Sequence, residues 1–238
     1  MDAADGSRGT TLVEALQAST ASLFRSLVDL DDDAARAPSL LPGWTRGHVL
    51  SHLARNSDAM VNLATWARTG VETPMYESRD KRDADIEAGA GRPADDLLTD
   101  VQAGHERMLA ALAELSDDQW QVEVSVGTTA VPASSIPAFR RSEVEIHHVD
   151  LDLSFTLAHL PEDFVEQMLS DVTADFSSRG DKPGLVLVGS GEEGRWVIEP
   201  GGPEVSGPPP SLLGFLLGRT GGEGLHSDQP LPDLGTWR

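Results

Sequence analysis

Residues 142–151 read SEVEIHHVDL, a stretch that places Glu143 and His147 one helical turn apart. Positions i and i+4 share one face of an α-helix, so this carboxylate and imidazole can converge on one point. Upstream, residues 47–56 read GHVLSHLARN, where a second helix can contribute His52. Two histidines and one carboxylate make a zinc-ligand set with an open fourth position, where water, a thiolate or a substrate oxygen can bind. The spacing therefore predicts a catalytic metal site between two helices.

The residues around this pair bear on the choice of ligands. Asp150 extends the polar strip of the helix to i+7, and apolar residues run beside it. Polar groups at the border of a core need partners, and a shared metal supplies one. His148 is a rival for His147, but its fifth position after Glu143 lies about 100° further round the helix. Spacing favours His147; the alternative is that the E-x-x-x-H pattern arose by chance on an exposed helix face.

Length, charge and cysteine content limit the possible classes of function. The chain has 238 residues, 39% of them hydrophobic, which suits one domain of about 150 residues and a smaller second one. Its formal net charge of -21 opposes binding to nucleic acid or to an anionic membrane, because phosphate neutralisation needs clustered lysines and arginines. The chain contains no cysteine, so any sulfur chemistry requires an external thiol. Without signal-peptide features or a long apolar run, we expect a soluble cytoplasmic protein.

Hydrophobic periodicity predicts four helices in residues 1–158, which suggests a bundle with the metal site in its interior. The segment between the second and third helices, residues 71–93, is predicted to be a long charged loop. A hairpin is predicted around VEVSVGTTAV, residues 122–131. The four predicted helices span residues 11–30, residues 45–69 with Thr45 as N-cap, residues 94–115, and a segment that opens near Pro137 and carries Asp150.

The character of the sequence changes after residue 158. Residues 161–179 are predicted to form one helix, and residues 184–190 and 194–200 a pair of strands. Residues 204–222 then give a strand that leads into a helix. These elements make a small α+β unit, so the predicted fold class is α+β, with domains at residues 1–158 and 159–238.

With these residues in place, the chain resembles the mycothiol-dependent maleylpyruvate isomerase family. Members of that family join a DinB-like four-helix metal-binding domain to a smaller α+β domain like that of sterol carrier proteins. The resemblance covers nearly the full length and would assign these two domains to residues 1–158 and 159–238. It is carried by GWTRGHVLSHLARN (43–56), TGVETPMY (69–76), VPASSIP (131–137), EVEIHHVDL (143–151) and LLGRTGGEGL (216–225).

The resemblance implies zinc, or another divalent metal, held by His52, Glu143 and His147, with mycothiol as the thiol cosubstrate. It also implies isomerisation of maleylpyruvate to fumarylpyruvate in gentisate breakdown, by reversible addition of a thiolate to the double bond. Asp150 and Arg219 match catalytic positions of the family. Arg219 could bind a substrate carboxylate through both arms of its guanidinium. Asp150 could orient a metal-bound histidine, bind the amine of the thiol cosubstrate or move a proton.

Two other functions remain compatible with these residues. A zinc-dependent mycothiol S-transferase would use the same metal ligands and leave the thiol attached to another electrophile. A non-catalytic protein would hold zinc structurally and carry an apolar ligand in its small domain, with Arg219 solvated at a helix end. In each case we expect small-molecule partners, no nucleic acid or membrane, and a monomer or small homo-oligomer. Arg140 and Arg141, on the fourth helix, are predicted to lie at the surface.

Overall fold

The N-terminal unit is a bundle of long helices with one short hairpin. The structure is a computed structural model that describes residues 4–127, 129–190, 194–235 and 237. It divides into two compact units, Met1–Ser154 and Phe155–Arg238, a few residues before the predicted boundary. The elements of the N-terminal unit are α1 (Ala4–Ser26), α2 (Asp32–Arg36), α3 (Arg46–Thr69), α4 (Arg79–Ala90), α5 (Ala94–Ala113), β1 (Glu123–Val126), β2 (Thr129–Pro132) and α6 (Ile136–Asp150).

Helix α3 lies at the centre of this unit, packed against α4, α5 and α6. It begins where the sequence predicts, because the Thr45 hydroxyl accepts a hydrogen bond from the backbone N–H of His48. It ends at Gly70, whose φ of 71° places it in the left-handed region that glycine adopts without strain. Apolar residues of α3 and of the surrounding helices form the core, including Leu16, Leu23, Leu50, Leu53, Leu63, Leu97, Val101, Met108 and Val144.

The prediction that residues 71–93 form a loop is wrong, because this segment contains helix α4. Ser78 caps this helix by accepting a hydrogen bond from the backbone N–H of Lys81. Ile86 and Ala90 are its buried residues, so its apolar periodicity is too sparse to identify a helix among so many charges. The short helix α2 is also not predicted. The limits of α3 and α5 are confirmed within two residues, and so is the start of α6 near Pro137, whereas α1, predicted at residues 11–30, spans Ala4–Ser26.

Two glycines allow the C-terminal half of α4 to lie very close to α3. A Cβ on Gly47 of α3 would lie 2.2 Å from the carbonyl oxygen of Ala90, and a Cβ on Gly89 of α4 would lie 2.2 Å from Oγ of Ser51. Real Cβ atoms do not approach other atoms so closely. At Gly47 the obstacle is backbone, so α3 and α4 could not keep this spacing with a larger residue there, whereas at Gly89 the Ser51 side chain would have to move. The contact fixes the position of α4 on α3.

Gly47→Ala is therefore expected to destabilise the protein by about 1–3 kcal/mol, since the added methyl must displace backbone of α4. Urea unfolding followed by circular dichroism measures this change. Gly91→Ala is the matched control, because nothing lies within 4 Å of the Cβ it would add. Equal midpoints for Gly47→Ala and the natural protein would contradict the close packing of these helices.

The C-terminal unit is a three-stranded sheet with two helices. The central strand β3 pairs antiparallel with β4 and parallel with β5, in the order β4-β3-β5. Helix α7 packs on β4, and α8 packs on β3, β5 and α7. These elements and the N-terminal hairpin confirm the predicted fold class, α+β with a helical N-terminal bundle. The C-terminal elements are α7 (Glu162–Arg179), β3 (Leu185–Gly189), β4 (Arg195–Ile198), β5 (Glu204–Gly207) and α8 (Pro209–Leu216).

Candidate metal centre

Three polar side chains from α3 and α6 meet inside the N-terminal bundle. His52 lies in the first half of α3, and Glu143 and His147 lie one turn apart on α6. One ligand atom from each of the three residues lies within 4.8 Å of the other two. Nε2 of His52 is 2.8 Å from Oε2 of Glu143, and Nε2 of His147 is 3.4 Å from the same oxygen. Each of the two imidazoles therefore directs its Nε2 atom toward the same oxygen of the Glu143 carboxylate.

The charge states of His52 and Glu143 suit a cation. Burial lowers the pKa of His52 to about 4, so this imidazole is neutral at neutral pH. Burial by itself would raise the pKa of Glu143, but its hydrogen bonds with His147 and His52 outweigh that effect and hold the pKa well below the ordinary value. The site thus offers an ionised carboxylate and a neutral histidine, which are the protonation states that metal ligation requires.

Asp150 lies behind His147, one turn further along α6. Its Oδ2 is 2.9 Å from Nδ1 of His147, and its side chain is fully buried. Burial by itself lowers the pKa of His147, but the hydrogen bonds with Asp150 and Glu143 outweigh it and the pKa is raised. A carboxylate on the far nitrogen of a histidine fixes the ring and its tautomer, as is usual behind metal-bound histidines. The arrangement leaves Nε2 of His147 facing Glu143.

His148 points away from this group. It is fully buried, and its Nε2 lies 2.8 Å from the hydroxyl of Ser26 on α1. It is therefore on the opposite side of α6 from Glu143, as the helical spacing predicts. His48, one turn before His52, has a structural role: it completes the N-terminal cap of α3 and lies 3.1 Å from Glu87 of α4.

Helix α4 and the segment before it bring two residues to the centre that the sequence did not identify. Nη2 of Arg82 lies 3.3 Å from Nδ1 of His52, and the Arg82 guanidinium lies over the ring of Tyr76, 5.7 Å from its centre. Burial raises the pKa of the Tyr76 hydroxyl, and the charge of Glu143 adds to the effect. Tyr76 is the last residue of TGVETPMY (69–76), a stretch that indicates the family but assigns no role to Tyr76.

Arg140 overturns the expectation that it and Arg141 lie at the surface. Arg140 is fully buried, and its Nη1 donates to the carbonyl of Leu53 at 2.9 Å and to Oδ1 of Asn56 at 2.7 Å. Arg141 is also buried, with Nε 3.3 Å from the hydroxyl of Ser19 on α1. Arg140 therefore links α6 to α3. It lies one turn before Glu143 on α6, and its acceptor Leu53 directly follows His52 on α3. Arginines are rarely buried, so composition alone favoured the surface.

Arg219 belongs to the C-terminal unit, just after α8. Its side chain is partly exposed, and its Nη1 donates to the carbonyl of Leu217 at 2.9 Å. Its predicted role toward substrate stays a prediction, as do the metal-binding roles of His52, Glu143 and His147. Among the described helices of both units, none has the length and apolar character needed to cross a membrane.

The donor set fits a catalytic zinc. Two imidazole nitrogens and one carboxylate oxygen are typical zinc ligands, and three protein ligands leave room for a further one. His52, Glu143 and His147 supply these atoms within one small volume, and Asp150 orients one of the imidazoles. Softer thiolate ligands are absent from a chain without cysteine. The ring of Trp44 lies beside the three residues, with its centre 5.8 Å from that of His52.

Comparison with known proteins places the chain in a family. The family model described as "Mycothiol maleylpyruvate isomerase N-terminal domain" matches residues 16–152, and the "MDMPI C-terminal domain" matches residues 159–236. A crystal structure of the mycothiol-dependent maleylpyruvate isomerase shares 32% sequence identity and a TM-score of 0.91, covering 96% of this chain and 97% of that one.

A crystal structure of the H52A mutant of that enzyme matches equally well, with 32% identity and a TM-score of 0.91. It also covers 96% of this chain and 97% of that one. No curated protein sequence matches the chain significantly. Two family models and the full-length structural likeness agree with the site geometry. The chain belongs to the mycothiol-dependent maleylpyruvate isomerase family.

Proposed function

We propose that this protein catalyses the cis–trans isomerisation of maleylpyruvate to fumarylpyruvate, with a divalent metal, zinc, and with mycothiol as the thiol. The observation that carries the proposal is the meeting of His52, Glu143 and His147 in a chain that is 32% identical to a known maleylpyruvate isomerase over nearly its full length. The partners would be a small dicarboxylate and a low-molecular-weight thiol. We further infer that the enzyme acts in the cytoplasm, where such thiols are kept reduced.

The metal would help to supply a thiolate nucleophile, which a chain without cysteine cannot provide itself. When bound, zinc stabilises a thiolate at neutral pH, although a free thiol has a pKa near 8.5. Isomerisation requires the double bond of the substrate to become temporarily single, and a thiolate that adds reversibly to the bond allows rotation. The chain has no cysteine to provide that nucleophile.

The protein's own residues would position and shield these reactants. His52, Glu143 and His147 would hold the metal, and Asp150 would keep Nε2 of His147 directed toward it. Because the Asp150 side chain is fully buried at 2.9 Å from His147, we favour this orienting role over contact with the thiol or proton transfer to the substrate. Arg219 would bind a carboxylate of the substrate, as the family resemblance implies.

The proposal is tested by giving maleylpyruvate to the zinc-loaded protein with and without mycothiol, and analysing the products by chromatography. We expect catalytic formation of fumarylpyruvate only when the thiol is present, with the thiol recovered unchanged. Consumption of the thiol into a stable conjugate would instead identify an S-transferase. A protein that binds zinc and converts nothing with either partner would contradict the proposed activity.

The orienting role of Asp150 gives a quantitative expectation. Asp150→Asn removes the charge behind His147 with little change of shape, and it is expected to weaken zinc binding about 10–100-fold. Competition with a chromogenic chelator measures the affinity. Asp152→Asn, two residues later and outside the helix, is the control, since the Asp152 side chain is 58% exposed. An unchanged affinity in Asp150→Asn would show that His147 does not need this carboxylate.

A further inference from the structure

Arg82 is a cation placed beside the metal ligands that no step above uses. It comes from the first turn of α4, and its Nη2 lies 3.3 Å from Nδ1 of His52. The ring of Tyr76 lies beneath its guanidinium, and Nη1 donates to the exposed Asp83 at 2.7 Å. The Arg82 side chain is 28% exposed, so it borders both the site and solvent. Arg140, on α6, is fully buried and cannot meet a diffusing ligand.

The contact between Arg82 and His52 depends on which nitrogen of the imidazole carries the proton. A guanidinium is always a donor, so Nδ1 of His52 must accept, and the proton of the neutral ring is then on Nε2. This agrees with the 2.8 Å hydrogen bond that Nε2 makes to Glu143.

The same contact is incompatible with metal ligation through Nε2. An imidazole that gives Nε2 to a metal keeps its proton on Nδ1, which changes from an acceptor to a donor. Two donors would then face each other across 3.3 Å, and a second positive charge would lie nearby. Arg82 would lose its hydrogen bond to His52 while its stem remains anchored in α4. The N–H group that now meets Nδ1 would then require another acceptor near His52.

We propose that Arg82 binds a carboxylate of the substrate and that metal binding at His52 releases it for this purpose. The proposal rests on the proposed function, because the substrate of that reaction is a dicarboxylate. A guanidinium matches a carboxylate with two parallel hydrogen bonds, and stacking on Tyr76 reduces the freedom that it loses on binding. In a protein of net charge -21, an anionic substrate needs such a local cation. Arg82, in the N-terminal unit, would then help the enzyme to select a dicarboxylate substrate.

Two binding measurements test this role without any turnover. Calorimetry gives the affinity of the metal-free protein for zinc, and then the affinity of the zinc-loaded protein for succinate, a dicarboxylate with no double bond to isomerise. The variants are Arg82→Met and Arg82→Lys. Arg79→Met is the matched control, since Arg79 is an exposed arginine on the same helix. Circular dichroism establishes that each variant is folded.

We expect Arg82→Met to weaken succinate binding at least about tenfold, with Arg82→Lys intermediate and Arg79→Met unchanged. Zinc affinity in Arg82→Met should equal or exceed that of the natural protein, because a competing hydrogen bond and a positive charge are removed.

The proposal is overturned if the zinc-loaded natural protein binds no succinate, or if Arg82→Met binds it normally. A loss of zinc affinity in Arg82→Met with normal succinate binding would mean that Arg82 only supports His52. Since neither measurement involves maleylpyruvate or mycothiol, a failure of the proposed isomerisation would be detected separately by the turnover assay.

Discussion

Replacing His52, Glu143 or His147 by alanine is expected to weaken zinc binding by roughly two hundredfold. Zinc sites built from protein ligands have apparent binding free energies of about 10 kcal/mol or more, so each of three ligands contributes about 3 kcal/mol. The three residues bring their ligand atoms within 4.8 Å of one another, and no other group of histidines and acidic residues in the described part of the chain comes together in this way. Competition with a chelator, followed by metal analysis of the dialysed protein, measures the loss.

His148→Gln is the control for this series. It changes a histidine on the same helix whose Nε2 contacts Ser26 rather than Glu143, and glutamine can keep a hydrogen bond to that hydroxyl. We expect it to retain zinc, with at most a modest loss of stability. A fully loaded His147→Ala protein together with a metal-free His148→Gln protein would overturn the assignment of His147 as a ligand.

Arg219→Ala is expected to lower kcat/KM for maleylpyruvate on the order of a hundredfold while zinc content and fold stay unchanged. The predicted role of Arg219 is to bind a substrate carboxylate, a role that does not involve the metal ligands. Steady-state kinetics on zinc-loaded protein gives the effect. Arg219→Lys should be intermediate, because lysine keeps the charge and loses the planar fork.

The control for Arg219 is Arg195→Ala in the same unit. Arg195 lies on β4, where its exposed side chain pairs with Glu204 at 3.0 Å, and surface ion pairs of this kind contribute little. Its kinetics should match those of the natural protein. If Arg219→Ala also keeps its full kcat/KM, Arg219 has no part in the reaction, and the carboxylate must be bound elsewhere.

Much of the fold could be predicted because local rules and tertiary packing agree. The limits of α3 follow from Thr45 and Gly70, and the hairpin β1–β2 turns at Gly127, where φ is 62°. The i, i+4 spacing correctly separated His147 from His148, since the two rings lie on different sides of α6. These features depend on a few neighbouring residues, and such patterns are visible in the sequence.

The features of the fold and the site that the sequence does not predict depend on contacts between distant segments. Helix α4 buries few apolar residues, and its close approach to α3 depends on Gly47, so its own periodicity does not identify it as a helix. Arg140 is buried because Leu53 and Asn56 of another helix offer it acceptors. The nearness of Arg82 to His52 follows from the placement of α4. In each case the partner lies far along the chain, and no pattern within either segment indicates it.

The hydrogen bonds of Arg140 bear on how the fold would respond to the loss of a bound metal. They join α3 to α6 through groups that are not metal ligands, at 2.9 Å to Leu53 and 2.7 Å to Asn56. They hold together the two helices that carry His52, Glu143 and His147, so much of the entropy of bringing these three residues together is lost during folding. Small zinc-dependent domains unfold when they are stripped of metal. We therefore expect this protein to stay folded when a bound metal is removed, so that metal supply would switch the proposed activity on and off reversibly.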